Sequence, residues 1–387
     1  MRLLTQKWLG RLLLGFVAIA AVPATASAAP SHTSQVVGHV YVDDNTAGVN
    51  TIAAFDRHAD GSLTAEPGSP FIAGGEGTGS GLPSQGAIQL SSDRRFVIAV
   101  DAGSNEVSVL RIGRDGSLRL VPNGVVPSGG VMPVSIAVHG DLVYVANAGA
   151  AGTNYSGFRL SDWGALRAIP GATIALPSDA QPGDVLFNGD GTRLVGTRVG
   201  TSQIDSFTIG YSGRAVAAPG SPFPAQGLGP FGSEFRPTEP DQLFVSNAHN
   251  VGPGTGTVSA FNNAWNGTLT SIGSSPFGDL QTAPCWVEIS ADGRFLFTVN
   301  TASGTISRFA IGRDGSLALL GSTPIRGTGG IGAVDARLSP DGHWLFVDES
   351  AAGAVGSFAV EGGSLTELPG SPTALPVGAT PAGITVN

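Results

Sequence analysis

An internal repeat constrains this chain more than any other feature. Ile112-Gly-Arg-Asp-Gly-Ser-Leu118 recurs letter for letter as Ile311 to Leu317, and Pro-Gly-Ser-Pro begins at Pro67, Pro219 and Pro369. The separations of 199, 152 and 150 residues are multiples of a unit of roughly 50 residues, the scale of solenoids and propellers. A chain built this way cannot bury its apolar faces one unit at a time, so the units must stack or close on one another.

One unit reads as a four-stranded meander. Trp286 to Ser290 alternates as a short strand, Ala291-Asp-Gly-Arg294 turns, and Phe295 to Val299 forms a second strand. A Ser303-Gly304 turn leads to Thr305 to Ile311, and Arg313-Asp-Gly-Ser316 turns into Leu317 to Leu320. Asp-Gly between apolar runs is a strong hairpin signal, because glycine takes the positive φ that primed turns require. The same frame places the ends of the second strands at Asp44, Asp101, Asn147, Arg198, Asn247, Asn300 and Glu349, in steps of 46 to 57 residues. Seven such units predict an all-β, seven-bladed β-propeller of four-stranded antiparallel blades. The first unit lacks an innermost strand, and Pro381 to Val386 resembles the missing one. The C-terminal strand is therefore expected to join the N-terminal blade and close the ring. With 58 Gly and 26 Pro in 387 residues and only 13% charged residues, the composition suits short strands and turns and excludes helical bundles and coiled coils.

Residues 1–28 read as a signal peptide. Arg2, Lys7 and Arg11 precede the apolar run Leu12 to Val22, and Ala26-Ser27-Ala28 is a cleavage signal. The expected organisation is a short mature segment at 29–35 and one propeller domain at 36–387, secreted or periplasmic, with no membrane anchor after cleavage and no partner subunit. The remaining chain would carry 17 Arg, no Lys and 29 acids, a net charge of −12. Such a balance disfavours nucleic acid, whose binding rests on basic contacts to phosphate. Without lysine there is no Schiff-base chemistry. Cys285 is the single cysteine and cannot pair within the chain. The six His show no pair at metal-ligand spacing, and no metal or cofactor is expected.

The repeats "ISADGRFLFTVN" (Ile289 to Asn300), "FAIGRDGSL" (Phe309 to Leu317) and "LSPDGHWLFV" (Leu338 to Val347) resemble those of the seven-bladed lactonase-like propellers. That group includes the bacterial propeller-type 6-phosphogluconolactonases and the fungal carboxymuconate cyclases. The resemblance implies lactone hydrolysis or lactonisation by a His, arginines and a Glu around the central channel. Carried over by position, those residues fall on Gly183, Phe231, Ala248, Glu288 and Thr301, so the implied acid–base set is not met.

Other channel residues are candidates in their place. The innermost strands align Gln89, Ala137, Leu186, Glu234, Glu288, Arg337 and Thr385. Glu234, Glu288 and Arg337, on successive blades, could divide acid and base roles, since mutual repulsion raises one pKa and an arginine lowers another. The alternative is a structural ion pair between Glu288 and Arg337. Arg198 and Glu349, at the ends of second strands, are ligand candidates at the same mouth. So are Asn300 and Asp101, although such residues commonly form local Asx turns. His249, beside the Gly-rich insertion Val251 to Gly256, could reach it too. The functional expectation is a non-catalytic, exported ligand-binding or scaffold propeller taking a small molecule or an extracellular protein or carbohydrate. The alternatives are a divergent lactone hydrolase or cyclase, and a protein-interaction module using the Gly-rich rim loops.

Overall fold

The computed structural model describes residues 34–82, 84–326 and 332–387, and residues 35–387 make one compact unit. The expected signal peptide at 1–28 lies outside the described residues. Seven antiparallel sheets follow one another around a ring. Blade 6 carries the predicted meander as Pro284–Ile289, Phe295–Asn300, Thr305–Ile311 and Leu317–Pro324. The other inner strands are Ile88–Leu90, Pro133–His139, Pro182–Phe187, Pro230–Arg236 and Val334–Leu338 in blades 2 to 5 and 7. Blade 1 takes its inner strand from the chain's end. Gly383–Val386 pairs with Val36–Asp43, with Val40 opposite Val386 and Asp43 opposite Gly383. The inner strands touch in succession around the axis, and Gly383–Val386 bridges blades 7 and 2.

The second strand of blade 1 ends at Asp43, one residue before the expected Asp44. Asp44 instead continues the ladder through a single bond, its N–H donating to Thr51 O. In blades 1, 4, 5 and 7 the outer strand is broken in two, and a cis Ser-Pro bond sits in each break, at Ser69-Pro70, Ser221-Pro222, Ser275-Pro276 and Ser371-Pro372. These breaks give the Pro-Gly-Ser-Pro repeat its purpose. The serine hydroxyl accepts a backbone N–H from the third strand, that of Ala54, Ser206, Ala260 and Ser357 in turn, at 2.7–3.0 Å. A side chain thus supplies the acceptor where the ladder stops, as a buried donor demands.

The hairpin between third and fourth strands repeats with equal regularity. Its glycine has positive φ in every blade, as at Gly116 (φ +88°) and Gly315 (φ +85°), and it lies flush against the preceding blade. A Cβ at Gly61 would meet the Trp344 ring, at Gly116 the His39 ring, at Gly164 Phe96 and at Gly363 Phe295. Turn chemistry and interblade contact therefore select glycine at the same position.

Throughout, the "upper" face is the one where inner strands begin and second strands end. Ile384 and Val386 are buried between blades 7 and 1 with Val40, Val42 and Phe346. Truncation of a fully buried Ile costs about 2–5 kcal/mol. Ile384→Ala is therefore expected to lower the unfolding free energy by that amount in urea titration. Removal of residues 383–387 should leave a chain that aggregates on size-exclusion chromatography, because blade 1 would then expose an unpaired edge.

Candidate functional site

The channel contains two levels of polar residues rather than one mouth. Glu234 lies opposite Phe244, Glu288 opposite Phe297 and Arg337 opposite Phe346. Asn247, Asn300 and Glu349 lie three positions further along those same second strands, about 10 Å at the rise of a strand. The grouping of Arg198 and Glu349 with Glu234, Glu288 and Arg337 at one mouth is thus corrected. A strand end and a mid-strand residue cannot occupy the same height.

At the lower level, Arg337 Nη1 bonds Glu288 Oε1 at 2.7 Å, and the Leu338 N–H donates to Glu288 Oε2 at 3.0 Å. Burial raises the Glu288 pKa while Arg337 pulls it down. Glu234 is raised further, by burial and then by the charge of Glu288. Two further acids, two positions nearer the upper face on their inner strands, act on the same arginine. Asp184 accepts from Ser135 Oγ, from Ser233 N and from Ser233 Oγ, at 3.1, 2.9 and 2.6 Å. Asp335 accepts from the N–H groups of Ala336 and Ile384. Burial pushes the Asp184 carboxyl up to about 7. Four acids from blades 4 to 7 therefore surround one guanidinium. Burial opposes the charge of Arg337, but Glu288, Asp335, Glu234 and Asp184 together raise its pKa. Nε and Nη2 of Arg337 are buried without hydrogen-bond partners among the described residues.

A plug separates this level from the upper face. Ser84 and Gln85 precede the inner strand of blade 2 and reach across the axis. The Gln85 side chain donates to Ser233 O at 3.0 Å and to Val287 O at 3.3 Å, and accepts from Val287 N at 2.9 Å. Its N–H donates to Gly183 O, and Trp286 Nε1 donates to Ser84 O at 2.7 Å. One glutamine thus ties blade 2 to blades 4, 5 and 6. Any Cβ at Gly232 would strike Gln85 Oε1. Sequence reasoning missed Gln85 because its partners lie 148 and 202 positions away.

The upper ring is bonded into the hairpins. Asp101 accepts from Ser108 and from Asn50, Asn247 donates to Ser259, and the Asn300 amide meets Ser307 at 2.8 Å. These are bonds across the second and third strands, not the local Asx turns expected. Arg198 grips Asp205 with two bonds of 2.6 Å, and Asp205 also accepts from Tyr155 at 3.2 Å. Glu349 is fully buried, neither oxygen has a partner among the described residues, and burial lifts its pKa to about 7. Arg198, Asp101, Asn247 and Asn300 are thus held by partners within the fold, while Glu349 is enclosed away from solvent. His249 is the exception. It is exposed and lines a cavity of about 530 Å³ on the upper face, with Met132, Ala148, Val199, Phe231 and Gln181. Phe231 and the neighbouring Gly183 and Ala248 hold the positions where the resemblance implied acid–base residues. Cys285 is buried, and its thiol is pushed up to about 12 by burial, so it is not a nucleophile.

Burial sets a pH dependence. Asp44, Asp184 and Glu349 are raised to about 7 and Asp101 to about 6 by burial. The folded state therefore holds protons that the unfolded chain has released, and stability falls as pH rises from the ordinary carboxylate range through about 7. Urea midpoints should be higher at pH 5 than at pH 8, and Glu349→Gln should flatten part of that slope by removing its proton. For Gln85→Ala, which orphans Val287 N and Ser233 O, a loss of about 2–6 kcal/mol is expected at any pH, at about 1–3 kcal/mol per stranded group.

Residues 236–381 match the family model "Lactonase, 7-bladed beta-propeller". The chain is similar to a candidate 6-phosphogluconolactonase from Bacteroides uniformis, with 20% identity and a TM-score of 0.70 over 91% of this chain and 100% of that one. It is also similar to the periplasmic gluconolactonase of Pseudomonas aeruginosa, with 18% identity and a TM-score of 0.69 over 90% and 98%. A Lactobacillus plantarum protein gives 17% and 0.72 over 90% and 99%. At these identities the likeness is one of fold. No curated protein sequence matches the chain. With its closed ring of seven blades, the chain is a seven-bladed β-propeller whose residues 236–381 match the lactonase propeller model.

Proposed function

We propose that this propeller is a non-catalytic binder of a small, largely apolar molecule in the upper-face cavity between blades 3, 4 and 5. The observation that carries this reading is the cavity's lining. Met132, Ala148, Pro182, Val199 and Phe231 form its walls, with Gln181, Ser178 and the single titratable group His249 as polar contacts. A concave apolar site with a few polar groups is the usual form of a small-molecule pocket. Hydrolysis of a lactone would need a base beside the substrate and donors for the developing oxyanion. His249 alone does not make such a pair, and the channel acids lie beyond the Gln85 plug. Export belongs to the same reading, supported by residues 1–28 and by the periplasmic setting of the Pseudomonas neighbour.

A divergent hydrolase is the second reading, favoured by one specific observation. Glu234 and Glu288 have raised pKa values beside Arg337, which is 18% exposed in its side chain. The purified chain, followed in a pH-stat against sugar and aliphatic lactones, should release no acid above buffer. Anilinonaphthalene sulfonate, as an apolar probe, should bind at one site, and Ala148→Trp, which fills the cavity, should weaken it roughly tenfold or more. Turnover that disappears in Glu288→Gln, with the melting temperature kept, would establish the hydrolase instead.

A further inference from the structure

Away from the channel, the face of blade 1 that looks toward blade 2 brings together an imidazole and two carboxylates. His39 and Asp56 are directly paired across the second and third strands. Asp56 is in turn opposite Thr64, and Glu66 lies two residues beyond it, a diagonal step on the same face. One ligand atom from each of His39, Asp56 and Glu66 lies within 4.8 Å of the others. His39 Nε2 is 3.4 Å from Asp56 Oδ1. The ring is held in place, resting on Gly116 and stacked on Tyr41 with centroids 6.1 Å apart.

A second observation points to a cation. Glu66 is only 5% exposed, yet no N–H or hydroxyl among the described residues donates to its carboxylate, which faces the carboxylate of Asp56 instead. A buried acid facing a second carboxylate, here one that is 22% exposed, is costly unless a proton or a metal ion lies between them. His39 and Asp56, but not Glu66, line a cavity of about 690 Å³ on the lower face, through which an ion can reach the cluster.

We propose that His39, Asp56 and Glu66 form a binding site for a divalent transition-metal ion of the zinc class. The imidazole nitrogen favours such an ion over calcium, which takes six to eight oxygens. Donors within 4.8 Å close onto a metal–ligand distance of about 2.1 Å by side-chain rotation, and water from the cavity fills the fourth position. The site shares no residue with the upper-face cavity or with the channel acids, so it stands independently of the function proposed above.

The test is calorimetric titration of zinc chloride into the EDTA-treated full chain, with melting temperature as a parallel readout and cobalt(II) absorption as a check on coordination. One equivalent of zinc should bind and raise the melting temperature. Glu66→Gln and His39→Asn should each lower the affinity roughly tenfold or more, while His343→Ala, exposed at the lower rim, should leave it unchanged. Glu66→Gln also relieves the carboxylate repulsion, so its metal-free melting temperature should equal or exceed that of the parent chain. Loss of the zinc response in that variant then reports the site and not misfolding. Absence of any zinc response in the parent chain would overturn the proposal. Zinc binding that survives both substitutions would overturn it as well, by placing the ion elsewhere.

Discussion

The pairing of Gly383–Val386 with Val36–Asp43 is the interaction on which the rest of the structure depends. Without it there would be seven stacked sheets with two raw ends. With it, the inner strands form an unbroken circle, and each sheet is covered on both faces by its neighbours. The buried hydrophobic clusters follow this geometry, since most of them are shared by residues of adjacent blades. Closure also places inner-strand residues such as Asp184, Ser233 and Glu288, far apart in sequence, on a common axis.

That axis carries an unusual concentration of charge for a chain with only 13% charged residues. The local arrangement explains how it is tolerated. Glu288 has a guanidinium and a backbone N–H, Asp184 has two serines, and Asp335 has two N–H groups. Each acid takes at least one donor from a neighbouring blade, so the charges act as rivets between neighbours. Glu234 has no such donors, and burial and then Glu288 raise its pKa. Breaking one buried pair costs more than the pair contributes, because the survivor is left charged in a poor solvent.

The fold was legible because its signals are local. Asp-Gly turns and alternating strands lie within one unit, and the recurrence of Asp101, Asn147, Asn300 and Glu349 from unit to unit is read without knowing any partner. The end of the chain was legible for the same reason, as a strand lacking its meander. The candidate site was much less so. Arg198 looked like a free ligand, but its partner Asp205 sits seven residues on, across a hairpin. Gln85 carries no local signal, since nothing in the sequence says that a segment will cross the axis. The exposed His249 and the apolar walls of its cavity come from three blades, and His39, Asp56 and Glu66 meet only through strand register.

The crossing made by Ser84 and Gln85 has a consequence for the molecule as a whole. Most rings invite the thought of a passage from one side to the other, but here the hub is filled by backbone and a hydrogen-bonded amide. Solutes arriving above and below meet different chemistry, apolar on one side and ionic on the other, with the Gln85 crossing between them. The disc is in effect two independent surfaces bonded back to back, and each is free to diverge without disturbing the other.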